Sequence, residues 1–310
     1  MDVRVRDTIE PSRLPSRPQT RVRRHTVQPA RLAPLEALVA VPERPAGLAF
    51  HFPGFNIALG SWEAVRYAQL AEATGLAVVA VELPGLSRFG HRLPGSVRRD
   101  LMDAHADSWA ELCLEYLRLA TRQAGLDRLP VRQLTGFSTG CSLAAAASRH
   151  LAVPVLALIE PVSVTQRSLA ALEAANLADL ARFPAALATN RDWVAQAWRT
   201  QLREPGVRYS VIDLLAIARL LSGRSIPDDL DRPAWCLLAR GARSSLCPAP
   251  AFDALDAQLV AAGAPGPTLA ISGLGHQLWH SFGAVAALSG RLPTASDMTA
   301  AGEYPGQSLS

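Results

Sequence analysis

The sequence predicts an α/β fold: a mostly parallel central sheet with helices on both faces, interrupted by an inserted helical cap. Short apolar runs of strand length alternate with longer stretches of helical spacing along most of the 310 residues. The apolar runs are continuous rather than alternating, as expected of strands buried on both faces. Between residues 161 and 228 the rhythm breaks, and helical segments follow one another without a convincing strand.

Residues 1–24 read as a flexible basic tail, with Pro11, Pro15 and Pro18 set among charges. Seven arginines against Asp2, Asp7 and Glu10 place the whole formal charge of +4 there, so the body offers no electrostatic reason to expect nucleic acid or a membrane surface as partner. The first half of the core spans 25–160. Strands are expected at 35–41 and 47–51, the second running into His51-Phe52-Pro53-Gly54-Phe55. A helix follows over 61–74, then a strand over 76–81 closed by Glu82-Leu83-Pro84-Gly85. A long amphipathic helix is expected over 103–124, ending at Gly125, with a strand at 131–135 and an Ala-rich helix at 142–150. A further apolar strand at 153–159 ends at Glu160.

The insertion 161–228 holds helical segments near 168–181, 192–202 and 210–221, with Phe183, Trp193, Trp198 and Tyr209 among its aromatic residues. The second half of the core, 229–292, resumes the alternation: strand 234–240, helix 250–262, strand 268–271, then His276 and a last helix. From Pro293 the chain is small and polar, a second flexible tail.

Composition excludes several chemistries. All 31 basic residues are arginine, so Schiff-base, pyridoxal and P-loop lysines are ruled out. Cys113, Cys141, Cys236 and Cys247 are scattered without a CxxC pair, which speaks for buried thiols rather than disulfides or zinc. No apolar run approaches the roughly 20 residues that span a bilayer, and the Arg- and Pro-rich start has no signal-peptide core. A cytoplasmic location, without metal or cofactor, is the expectation.

The strongest local signal is Gly136-Phe137-Ser138-Thr139-Gly140, which follows an apolar strand and opens a helix. A strand that turns sharply into a helix lifts Ser138 out of the sheet, while glycines two positions to either side let the chain pack closely. The helix N-terminus then offers free N–H groups to developing negative charge. Together with Pro53-Gly54-Phe55 after an early strand and Gly273-Leu274-Gly275-His276 after the last one, this resembles the α/β-hydrolase superfamily over about residues 30–290.

That resemblance implies Ser138 as nucleophile, His276 as general base, and an oxyanion hole formed by the backbone N–H groups of Phe55 and Thr139. The third member departs from the family's pattern. Gly241-Ala242-Arg243-Ser244 places Ser244 where the acid usually stands. Three arrangements answer this: relocation of the acid to Glu160, a carboxylate such as Asp253 reaching in, or a Ser/His dyad. Glu160 is favoured. His280 reads as packing or surface, and His51 lies close enough to the oxyanion loop to line a pocket.

The resemblance implies acyl chemistry on an ester or thioester, with the cap setting specificity for an apolar, natural-product-like small molecule. A non-hydrolytic lyase, cyclase or acyltransferase on the same fold is the alternative, and a non-catalytic binding protein the third class.

Overall fold

The computed structural model describes residues 4–12, 18–30, 32–188, 190, 206–226, 230 and 233–300. Nine strands form one sheet: β1 (Val5–Ile9), β2 (Arg21–Val27), β3 (Leu35–Val41), β4 (Leu48–Phe52), β5 (Ala77–Val81), β6 (Val131–Phe137), β7 (Val155–Ile159), β8 (Trp235–Gly241) and β9 (Pro267–Ile271). Their spatial order is β1-β9-β8-β7-β6-β4-β5-β3-β2. Only β2 with β3 and β3 with β5 are antiparallel; every other neighbouring pair is parallel.

The continuous apolar strands are explained by two cores, one on each face. In β5, Ala77, Val79 and Val81 face one core and Val78 and Ala80 the other. The first core packs α3 (Asp107–Gln123) and α4 (Thr139–Ser148), with Trp109, Leu117 and Leu143 buried. The second packs α1 (Ser61–Thr74), with Tyr67, Leu70 and Trp279 buried.

The expected helix over 103–124 is found as the single helix α3, which starts four residues later, at Asp107. A separate helix that the sequence reading did not include, α2 (Gly95–Met102), precedes it and ends at Asp103, and Ala104 adopts a left-handed φ of 62° between the two. The cap contributes α5 (Leu169–Leu180), α6 (Phe183–Ala188) and α7 (Val211–Ser222). Ser168 and Ser210 cap α5 and α7 by accepting the N–H groups of Ala171 and Asp213. The expected helix over 192–202, with Trp193 and Trp198, lies outside the described residues.

Both expected tails are corrected in part. β1 and β2 fall within residues 1–24 or overlap them, and they form the two edges of the sheet. Buried Arg4 holds β1 in place: its guanidinium pairs with Asp256 at 2.9 Å and donates to the Cys236 carbonyl at 2.9 Å. β2 turns Arg21, Arg23 and Arg24 toward solvent. Charged edge strands discourage pairing with another chain, which gives the arginine-rich start a structural role. α8 (Ala249–Ala261) and α9 (Phe282–Ser289) precede Pro293, and a short α10 (Ala295–Ala300) follows it and buries Met298.

No helix among the described residues is long and apolar enough to cross a membrane. The four thiols are buried and free, and burial pushes all four above the usual thiol range, Cys236 to about 11.

His51 corrects another expectation. It does not line a pocket but lies in the core, its ring stacked on Trp279 at 4.8 Å. Neither ring nitrogen has a hydrogen-bond partner among the described residues. Burial, with Arg66 nearby, holds its pKa down to about 3, and burial also holds His280 well below the usual range. Both are therefore neutral when folded and take up a proton near pH 6.5 only on unfolding. Their contribution is complete above pH 6.5 and falls as pH drops below it, by about 1.4 kcal/mol per pH unit for each histidine. Urea unfolding at pH 7 and pH 5 is expected to show this loss, with a shallower slope in His51→Leu. Equal stability at the two pH values would contradict it.

Candidate active site

The turn between β6 and α4 holds Ser138 at φ 55° and ψ −117°, a conformation an L-residue rarely adopts. Its neighbours impose this. A Cβ on Gly136 would lie 2.3 Å from the Gly140 carbonyl oxygen, and one on Gly140 would lie 2.0 Å from that of Phe52. Backbone therefore touches backbone on both sides of Ser138, and only glycine fits at either position. The Ser138 N–H donates to the Ile159 carbonyl at 2.9 Å, tying the turn to the end of β7.

That strand end carries Glu160, which also has a positive φ, 58°. Its N–H donates to the Ala239 carbonyl at 2.7 Å, and its side chain is fully buried. His276 opens the 3₁₀ turn His276–His280 that follows β9. The three side chains meet. Ser138 Oγ lies 2.8 Å from His276 Nε2, and His276 Nδ1 lies 2.8 Å from Glu160 Oε2. Glu160 Oε1 accepts the Gly241 N–H, and Oε2 also accepts the Ser244 hydroxyl at 2.7 Å. Accepting from three donors suits an ionised carboxylate, which has about four lone-pair sites and no proton of its own. With Nδ1–H donated to Glu160, Nε2 is left to accept the Ser138 proton.

Ser244 thus does not replace the carboxylate but donates to it, and its own Oγ accepts the Cys247 N–H at 3.0 Å. Asp253 is a surface residue on α8, ion-paired to Arg6 at 3.0 Å.

The loop after β4 brings Gly54 against Phe137 and Ser138; a Cβ there would sit 3.2 Å from that of Ser138. Phe55 follows, half-buried, on the wall of the cavity in front of Ser138. Thr139 is the first residue of α4, where the helix leaves its N–H unpaired. No hydrogen bond from the N–H of Phe55 or Thr139 is found among the described residues.

The cavity measures about 180 Å³. Leu172 from α5 and Leu214, Ile217 and Leu221 from α7 give its cap wall an apolar part, while Glu173 and Asn176 from α5 and Gln277 add charged and polar groups. His280 lines it too, edge-on to Phe183 at 4.9 Å, where packing or surface was expected. Its place four residues beyond His276, one turn along, was the available signal.

No protein-family model matches the chain, and no curated protein matches it in sequence. Solved structures do match in shape. A lipase in an open form is 18% identical, with 90% of this chain and 99% of that one covered at a TM-score of 0.55. An arylesterase is 15% identical, with 92% and 88% covered at 0.54. An esterase from Pyrobaculum calidifontis is 20% identical, with 91% and 86% covered at 0.51. The protein has the α/β-hydrolase fold.

Proposed function

We propose that the protein is a serine hydrolase that cleaves an ester or thioester of an apolar small molecule. The observation that carries this reading is the unbroken hydrogen-bonded line from Ser138 through His276 to Glu160. Ser138 Oγ attacks the acyl carbonyl while His276 Nε2 takes its proton. Glu160 holds the imidazole in the productive tautomer and stabilises the imidazolium that forms. The N–H groups of Phe55 and Thr139 face the developing oxyanion, each worth about 2.7–4 kcal/mol to such a transition state. His276 returns the proton to the leaving group, and water, activated in the same way, releases the acid.

The apolar wall from α7 with Leu172 favours a hydrocarbon-like acyl group, and the Glu173 carboxylate disfavours an anionic one. The esterases and lipase that share the fold favour hydrolysis among the chemistries it hosts. Elimination of an acyloxy group, the lyase alternative, would be favoured by Ser244 leaving the imidazole without a carboxylate. Glu160 within hydrogen-bonding reach of His276 speaks against that condition.

A β-acyloxy ketone distinguishes the two, because both reactions release the acid but differ in the second product. Hydrolysis yields the hydroxyketone, the expected result. An enone as the main product would overturn hydrolysis in favour of elimination.

A further inference from the structure

We propose that Asp179, on the cap helix α5, is a positioning residue that holds the His276 loop in its working geometry and so ties the cap to the imidazole. The proposal rests on the serine-hydrolase reading above. Asp179 is the one buried residue of α5 and is fully buried, although a carboxylate on a cap helix is most cheaply left in water. Its oxygens account for this. Oδ2 accepts the N–H groups of Ser245 and Leu246, both at 2.8 Å. Oδ1 accepts Arg182 Nη1 at 3.1 Å and, more weakly, the N–H of His276 itself at 3.3 Å. One cap carboxylate thus joins the loop after β8, which carries Ser244, to the loop after β9, which carries the imidazole.

Gly275 is an independent sign of the same contact. Its φ of −100° and ψ of −156° are open to any residue, so its conformation does not call for glycine. Space does: a Cβ at 275 would lie 2.7 Å from Asp179 Oδ1. The glycine before His276 is what lets the cap carboxylate reach the loop. The same helix lines the cavity through Leu172 and Asn176, so whatever shifts α5 also shifts the support of His276.

In Asp179→Asn, one oxygen gives way to an NH2 that faces backbone N–H donors, so the loop must move. Displacing a catalytic group by about 1 Å costs on the order of 10²-fold. The folded variant is expected to show a drop in kcat of about 10- to 100-fold on p-nitrophenyl butyrate. KM should stay within about threefold, and fluorophosphonate labelling of Ser138 should slow by the same factor as kcat. Gly275→Ala, which adds one methyl group, is expected to reproduce this effect in the wild-type background. In the Asp179→Ala background it should add little, because the clashing carboxylate is gone.

Unchanged kcat and labelling in folded Asp179→Asn would overturn the proposal. So would losses from Gly275→Ala and Asp179→Ala that simply multiply. Should Asp179→Asn fail to fold, unchanged kcat and labelling in Gly275→Ala alone would do the same. Ser138→Ala separates the two levels. If it stays active, the serine-hydrolase reading itself falls; if it is inactive while the Asp179 and Gly275 variants behave as wild type, only the positioning role falls.

Discussion

Replacing Ser138 with alanine is expected to lower kcat by about 10⁶-fold, with little change in KM. The side chain removed lines the cavity and holds its Oγ 2.8 Å from His276 Nε2. The positive φ at 138 is imposed by Gly136 and Gly140 packing against backbone, so alanine takes up the same turn as serine and the protein stays folded. The Phe55 and Thr139 N–H groups are untouched and should leave a residual rate of about 10³- to 10⁴-fold over water. Steady-state kinetics on an activated ester checks this. A loss of less than about tenfold would mean that a different group attacks the substrate.

The second large effect is expected at Glu160. Glutamine there keeps the size of the side chain but offers only one acceptor oxygen to three donors: Gly241 N–H, Ser244 O–H and His276 Nδ1–H. If the oxygen stays with Gly241, the amide NH2 faces His276 Nδ1 and forces the proton onto Nε2. That tautomer cannot accept the Ser138 proton, and a loss in kcat of about 10⁴-fold is expected. Ser244→Asp in the Glu160→Gln background is expected to restore part of it, because Ser244 Oγ lies 2.7 Å from the carboxylate that is lost. Turnover in Glu160→Gln equal to wild type would show that a Ser/His dyad suffices.

What the sequence made legible was local. The elbow at 136–140 announces itself because the glycines, the strand and the helix are consecutive. The loop 273–276 was found by its place after the last strand. Glu160 was reachable because it closes an apolar strand in a fold whose order of elements was already readable. Ser244 was placed correctly in the loop, yet its role as a donor to Glu160 depends on contact across 84 positions.

The features missed were those held by distant partners. β1 is a short, polar segment whose strand character comes from β9 and from the burial of Arg4 against Asp256, 252 positions away. Asp179 lies on a helix whose remaining residues give no sign that one carboxylate is buried. His51 reads as a polar residue near a functional loop, but the stack on Trp279 takes it into the core. A strand buried on both faces leaves its residues no choice of face that solvent could claim.

The most direct test of the poised serine is covalent labelling. The folded protein treated with a fluorophosphonate is expected to gain one adduct, mapped by mass spectrometry to the peptide containing Ser138. The adduct should be absent from Ser138→Ala and slowed in Glu160→Gln. A folded sample that gains no adduct, or gains it at another residue, would contradict the assignment of Ser138 as the nucleophile.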